Sequence, residues 1–292
     1  MRKAFRTLTA AITLAACAFT APAMAQTQLK PALWKVADED TTIYLFGTVH
    51  ALPKGLVWLD GPVAAALDES SELLTEIPDV SDADQQKAVM AIGLLKGETL
   101  RSLMNDADRT AYEALLARLK IPPETLDPLE PWLAGITLAV IPYALAGYGE
   151  EQGVETVLRK AAVAKGKKLG GLETVEYQLG LFDGLPREAQ LKFLNAAVKD
   201  FDKSAGLINA MTDEWGSGDP DGLGKLLNAQ MDDPELAETL LYQRNRNWAT
   251  WARQRLQQPG TVFVAVGAGH LAGPNSVQDA LKAQGVESAR VQ

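Results

Sequence analysis

Both histidines of this chain lie in the same four-residue pattern. Residues 44–50 read YLFGTVH and residues 264–270 read VAVGAGH, so each histidine follows an apolar run and stands three places after a glycine. Glycine makes up about 7 % of an average chain, so both histidines would share this spacing by chance less than about once in a hundred. Imidazole is a common metal ligand and acid–base catalyst. The pattern favours a functional pair, with two structural histidines as the alternative.

The apolar runs before the two histidines are predicted to be buried strands. Ligands of open α/β sheets bind beyond the carboxyl ends of the strands. Gly47 and Gly267 stand at these ends, where glycine lets the chain turn and lets a ligand approach the backbone. If the two strands are neighbours, His50 and His270 converge on one point.

A carboxylate partner is predicted in a third strand. Glu76 lies in the apolar run of residues 72–77, and a glutamate buried without a partner costs several kcal/mol. An exposed position at the strand end is the alternative. Two chemistries remain open for these residues: a metal ion bound by His50, His270 and Glu76, or metal-free acid–base catalysis by one histidine with a carboxylate partner.

The first residues predict export. A basic start at residues 2–6, an apolar stretch at 7–20 and the small residues Ala23 and Ala25 form a bacterial secretory signal. Removal of residues 1–25 would leave a periplasmic protein with no transmembrane helix. Cys17 follows Leu-Ala-Ala and also resembles a lipobox cysteine, so a lipid anchor at Cys17 is the alternative.

Charge and cysteine content exclude several functions. Without the signal, the chain has 25 basic residues against 37 acidic ones, a net charge of −12. Nucleic-acid binding requires clustered lysine and arginine, which the sequence lacks. Cys17 is the single cysteine, so thiol catalysis and cysteine-based metal sites are excluded once the signal is removed.

The order of predicted elements indicates an α/β fold. Strands are predicted at 32–36, 42–46 and 72–77 near one end, and at 261–266 and 286–291 near the other. Between them lie helical patterns at 82–96, 106–120, 131–148, 153–165, 174–182, 186–202, 204–215 and 235–257, with a short strand at 167–172. We therefore predict a single domain at 26–292. Its mixed sheet is built from the N- and C-terminal segments, and a large helical insertion spans about 80–258.

Taken in order, these residues resemble the TraB/GumN (PrgY) family, which includes the Tiki proteases that cleave secreted Wnt ligands. The resemblance spans nearly the whole mature chain. Its blocks are LWKV at 33–36, YLFGTVH at 44–50, LLTE at 73–76, GVET at 153–156, GKK at 166–168, GLETVEYQL at 171–179, Arg244-Asn245 with Trp248, and VGAGHL at 266–271.

The resemblance implies a fold related to the erythromycin esterases and a peptidase activity that depends on manganese or cobalt, with zinc as an alternative. The metal ligands it implies are His50, His270 and Glu76. Arg244 is implied as an oxyanion or carboxylate partner, and Glu173 is a candidate catalytic base. Gly47, Gly267 and Asn245 are implied as binding residues.

One block departs from the family pattern. The family often has Gly-Val-Asp where this chain has Gly153-Val-Glu155. We interpret Glu155 as a first-turn acid that interacts with the helix dipole, although a functional carboxylate would here reach one methylene further. The same interpretation is the alternative for Glu173 and Glu176.

The sequence thus predicts an exported metal-dependent hydrolase, a peptidase, acting on a peptide or small molecule and not on nucleic acid. Two alternatives remain. One is a non-catalytic periplasmic protein that binds a peptide, a metal or haem. The other is a metal-free, esterase-like hydrolase that uses His50 as base and Glu76 as its partner.

Overall fold

A computed structural model describes residues 27–229 and 233–292. The predicted signal at 1–25 and the lipobox cysteine Cys17 lie outside the described residues. Within the described ranges, no helix has both the length and the apolar character needed to cross a membrane.

The described residues form eight strands and twelve α-helices. The strands are β1 (Thr27–Gln28), β2 (Leu33–Ala37), β3 (Thr41–Thr48), β4 (Leu56–Val57), β5 (Glu72–Thr75), β6 (Lys168–Gly171), β7 (Gly260–Gly267) and β8 (Ala289–Arg290). The helices are α1 (Gly61–Glu69), α2 (Asp82–Ile92), α3 (Asp106–Leu119), α4 (Pro131–Leu145), α5 (Val154–Ala164), α6 (Val175–Asp183), α7 (Arg187–Lys199), α8 (Phe201–Ser217), α9 (Pro220–Asn228), α10 (Pro234–Ala237), α11 (Gln243–Arg255) and α12 (Val277–Ala283).

Six strands form one mixed sheet in the order β6-β5-β7-β3-β2-β8. The pairs β6–β5, β5–β7 and β7–β3 are parallel. β2 pairs antiparallel with β3, with Trp34 opposite Leu45. The chain is α/β with a mixed sheet, as the sequence predicted. The central strands are apolar along their length because helices cover both faces of the sheet.

The two faces of the sheet support separate cores. On one face, Phe46 and Phe263 pack with Trp58 and Trp215. On the other face, the alternate residues of the same strands pack against α11 and α12, with Trp248 and Ala249 among the buried residues. Each large apolar side chain contributes about 1.5–3 kcal/mol when it is removed from water. The two cores therefore hold the sheet edge that carries both histidine motifs.

The helical segment has a core of its own, formed by α3, α4, α7 and α8. Its buried side chains include Tyr112, Leu116, Leu138 and Leu194. The helix α4 packs through this core and is more apolar than its neighbours. It ends at Leu145, three residues earlier than predicted, and Gly147 follows with φ at +81°.

Three features of the fold differ from the sequence prediction. β6 comes from inside the predicted insertion and forms one edge of the sheet. The helix α9 was not predicted, because glycines at 222 and 224 resemble a loop; close packing of Gly224 against Gly273 accounts for one of them. The predicted helix at 235–257 is divided by a π-helical turn at Glu238–Tyr242 between α10 and α11.

Candidate active site

Three neighbouring parallel strands end at the residues singled out by the sequence. β7 lies between β5 and β3, and the register pairs Thr48 with Gly267 and Thr75 with Ala265. His50 follows β3, Glu76 follows β5, and His270 lies in a short 3₁₀ helix directly after β7. Since carboxyl ends of parallel strands share one edge of a sheet, the topology brings these three residues together.

The glycines of the motifs are needed for close approach. A methyl group on Gly267 would lie 3.0 Å from Oε1 of Glu76, and one on Gly47 would lie 3.1 Å from Ala268. The backbone N–H of Gly267 donates to that same Glu76 oxygen at 2.7 Å. Glycine at 267 therefore lets the carboxylate of one strand bond to the end of the next.

His270 is buried and neutral. Its Nδ1 lies 2.6 Å from Oδ1 of Asn245, and its Nε2 lies 3.1 Å from Nη1 of Arg244. Since arginine only donates, Nε2 accepts and the ring proton is on Nδ1, pointing at Asn245. The amide nitrogen of Asn245 donates to the carbonyl of Asn275, which fixes the orientation of the amide. Burial lowers the pKa of His270 to about 3.

Arg244 connects the buried groups of the site. Its Nη2 donates to Glu76 at 2.5 Å and to Glu173 at 2.8 Å, and its Nε donates to Glu173 at 3.1 Å. Nη1 donates to the carbonyl of Leu240 and to His270. These contacts use all five N–H donors of the guanidinium. The resemblance implied Arg244 as an oxyanion or a carboxylate partner. The structure shows the carboxylate contacts, and no donor is left for an oxyanion.

The two carboxylates beside Arg244 are further fixed by neutral donors. Gln178 donates to Glu76 at 2.8 Å and to Glu173 at 2.9 Å, and Trp248 donates its indole N–H to Glu173 at 2.9 Å. Burial opposes ionisation of Glu76, but the charge and hydrogen bond of Arg244 and the Gly267 N–H outweigh it and hold the pKa of Glu76 below its usual value. Glu76 is therefore charged, and both carboxylates are held by several donors.

Glu173 is almost fully enclosed, with 6 % of its side chain exposed. It forms bonds to Arg244, Gln178 and Trp248. These donors occupy both of its carboxylate oxygens. The candidate role of Glu173 as catalytic base does not fit this position, and Glu173 instead orients Arg244. Glu176 is exposed in the first turn of α6.

His50 forms a separate pair with Glu155. Its Nδ1 lies 2.8 Å from Oε1 of Glu155, and Thr48 donates its hydroxyl to the same oxygen at 2.7 Å. The hydrogen bond and the charge of Glu155 raise the pKa of His50 to about 9. The imidazole side chain is 83 % exposed, so its other nitrogen is free to meet a ligand. Glu155 is in the first turn of α5, yet its carboxylate contacts His50, so the interpretation as a dipole acid alone was wrong.

His50 and the cluster around Arg244 border one pocket of about 670 Å³. His50, Glu76, Arg244 and His270 form its polar end at the sheet edge. The opposite walls come from apolar side chains of the helical segment, among them Ile136, Val140, Tyr143, Ile208, Met211 and Leu227. A pocket of this size with a few convergent polar groups is typical of sites that bind small molecules.

The described residues do not fit the metal site that the resemblance implied. Among residues 27–229 and 233–292, no three histidine, cysteine or acidic side chains are arranged to hold an ion. Both ring nitrogens of His270 are bonded to Asn245 and Arg244. The Arg244 guanidinium also contacts Glu76. A metal ion bound to both residues would have to displace this cation.

The structure brings His50, Glu76, His270, Arg244 and Gly267 together at the edge of the pocket. Asn245 lies directly behind His270. Gly47 lies in β3 against Ala268. The partner of His50 was missed, because Glu155 is 105 residues away in sequence and looked like an ordinary first-turn acid. The bridging role of Gln178 had no signal of its own.

The chain is similar over most of its length to the members of a known protein family. The model of the TraB/PrgY/gumN family matches residues 32–290. An uncharacterized protein of Treponema pallidum is 23 % identical over 266 residues, which cover 85 % of this chain and 79 % of that protein. The uncharacterized protein YbaP of Escherichia coli is 24 % identical over 239 residues, covering 82 % of this chain and 87 % of YbaP. YbaP of Shigella flexneri matches to the same extent. No solved structure matches the chain.

Proposed function

The chain belongs to the TraB/PrgY/gumN family, and on this premise we propose that it is a hydrolase of a peptide bond or of another amide or ester bond. The export signal predicted at residues 1–25 would place this activity in the periplasm. The observation that carries the proposal is the pairing of His50 with Glu155 at the mouth of a pocket whose polar end also holds Glu76, Arg244 and His270.

The His50–Glu155 pair supports general base catalysis. Glu155 accepts a hydrogen bond from the Nδ1–H, so Nε2 is the basic nitrogen and faces away from the carboxylate. Nε2 takes a proton from water as the water attacks the carbonyl carbon. Glu155 then stabilises the imidazolium, as the third member of a catalytic triad does. His50 gives this proton to the leaving nitrogen or oxygen as its bond to the carbonyl carbon breaks.

Glu76 and its partners act as a fixed charged frame. Glu76 is ionised and borders the pocket, and its Oε1 accepts from the Gly267 N–H. An oxygen in this position can accept a hydrogen bond from the attacking water and orient it. Arg244 acts through Glu76 and His270, since its own donors are all used. It is a positioning residue and not a catalytic one.

A metal-dependent hydrolase is the second candidate. The pocket end is rich in carboxylates, which favours a divalent cation such as manganese, cobalt or zinc. These residues do not fit a metal ion while Arg244 contacts both Glu76 and His270. The residue roles proposed above therefore involve no ion.

The test is hydrolysis of fluorogenic peptide and ester libraries by the purified mature protein. We expect His50→Ala to lower kcat/KM by ~100-fold or more. Glu155→Gln should alter the pH dependence of kcat/KM. Glu176→Gln is the matched control, because it removes an exposed acid from the first turn of the next helix, and it should stay within about twofold of the wild type. Undiminished turnover in His50→Ala would contradict the mechanism, and ligand binding without turnover in the wild type would favour a binding protein.

A further inference from the structure

We propose that the substrate carries an uncharged, unbranched apolar arm beside the bond that is cleaved. The arm lies between α4, α8 and α9. This inference rests on the proposed function for the place of the cleaved bond, which is the polar end beside His50. It adds the chemical class of the substrate, which the hydrolytic groups alone do not define.

The walls of the pocket provide an extended apolar surface. Ile136 and Val140 of α4 face the pocket, as do Met211 of α8 and Leu227 of α9. Val140 is 53 % exposed, although it lies within a run of apolar residues. Apolar surface of this kind around a pocket marks a ligand-binding site.

The apolar surface continues past the pocket along α4. Leu145, at the end of the helix, is 70 % exposed. Ala144 borders the pocket and is also exposed. An elongated arm can therefore start at the sheet edge, cross the pocket and continue over the last turn of α4. A compact ligand would leave this part of the surface in water.

The charges at the polar end disfavour an anionic substrate. Glu76 and Glu150 line this end, and Glu155 and Glu173 contact its His50 and Arg244 from behind. Glu155 contacts His50 at 2.8 Å, and Arg244 has no donor left. A phosphate or carboxylate on the substrate would meet an excess of negative charge, with the exposed ring nitrogen of His50 as its partner.

Binding can be measured without turnover. The neutral fluorescent probe N-phenyl-1-naphthylamine is bound to the His50→Ala protein and displaced by N-alkyl acetamides from butyl to decyl. We expect the affinity to rise about two- to fourfold with each methylene, because each one leaves water for an apolar wall. Alkyl carboxylates of the same length are measured on the wild-type protein, which keeps His50 and cannot hydrolyse them, and they should bind at least tenfold more weakly.

Two variants that fill the pocket from different helices locate the arm. Ala139→Phe on α4 and Thr212→Trp on α8 both add bulk inside the pocket. In each variant, the affinity should stop rising at a shorter alkyl length than in the parent protein. Ala164→Phe adds the same ring at an exposed position of α5 and is the matched control; it should behave like the parent. Thermal unfolding confirms that each variant is folded.

The outcomes separate the two proposals. Affinity that stays flat along the series, or the same gain in both filled variants, would show that no apolar arm binds here. Equal binding of the carboxylates would show that the site does not select against a charged substrate. Hydrolysis of short acetyl esters would still support the hydrolase in that case. A rising series without hydrolysis of any long-chain amide or ester by the wild type would support the apolar site and overturn the hydrolase.

Discussion

Glu155 controls the proton affinity of His50, so its replacement should change the pH dependence of the protein. A base is active when deprotonated, so activity should rise with pH and reach half its maximum near pH 9, the pKa that Glu155 gives to His50. Glu155→Gln keeps the shape but removes the charge, and the midpoint should fall toward the ordinary histidine value of about 6.5. The measurement is the pH profile of kcat/KM, paired with an NMR titration of the ring.

The titration is simple to interpret, since the chain has two histidines and burial holds the pKa of His270 at about 3. Above pH 5 a single imidazole should titrate. Glu176→Gln should leave its midpoint unchanged. A wild-type midpoint near 6.5 would show that Glu155 does not interact with His50 in solution.

Arg244 should contribute far more to stability than its exposed neighbour. Arg244→Met leaves Glu76 and Glu173 enclosed without their cation, and breaking a buried ion pair in this way costs about 3–5 kcal/mol. Arg246→Met, two residues away, removes an exposed pair with Glu238 and should cost less than about 1 kcal/mol. Urea unfolding compares the two free energies. Equal losses would mean that the buried cluster is not formed.

At this scale, the sequence predicts residue types better than their partners. The repeated Gly-x-x-His pattern and an apolar run ending in glutamate were enough to find His50, His270 and Glu76. The pairs His50–Glu155 and Gln178–Glu76 join residues more than a hundred positions apart. Local spacing carries no information about such contacts, which only the packing of α5 and α6 against the sheet edge creates.

At the scale of elements, the start of α5 should be as sensitive as the catalytic side chains. A methyl group on Gly153 would overlap the carbonyl oxygen of His50, so Gly153→Ala must move α5 away from the end of β3. We expect a loss of about 1–3 kcal/mol in stability, together with a weaker His50–Glu155 pair and lower activity.

Gly149→Ala is the matched control for this change. A methyl group there would meet nothing within 4 Å, and the backbone φ of −129° suits any residue. The two variants are compared by thermal unfolding and by the pH midpoint of His50. A stable Gly153→Ala protein with an unchanged midpoint would show that the helix start does not position Glu155.

The elements with a strong hydrophobic period were predictable, and those decided by contacts were not. β3 and β7 are long apolar runs, and their parallel pairing follows from their burial on both faces. α9 needs glycine at 224 because the backbone of Gly273 lies against it, which makes its sequence resemble a loop. The π-helical turn at Glu238–Tyr242 places the Leu240 carbonyl 3.0 Å from Arg244, a relation that no local pattern shows.

For the whole molecule, the fold class follows from the order of elements, and the family match spans residues 32–290. The sequence predicted a sheet built from the N- and C-terminal segments, with a helical insertion at about 80–258. The structure gives it two further roles, since it supplies β6 to the sheet and most of the pocket wall. These roles depend on how distant segments pack together, and the sequence pattern does not encode that packing locally.

The metal content of the whole protein decides between the two candidate hydrolases. Arg244 already compensates Glu76 and uses Nε2 of His270, so a metal-free site predicts well below one equivalent of bound metal in protein purified without a histidine tag. Manganese, cobalt and zinc should then cause no thermal shift, and a chelator should leave hydrolysis unchanged. One equivalent of metal, lost in both His50→Ala and His270→Ala while these variants stay folded, would instead favour the metal centre predicted from the sequence. It would also mean that Arg244 releases Glu76 and His270 when the ion binds, which a change in the Trp248 fluorescence beside Arg244 and His270 should report.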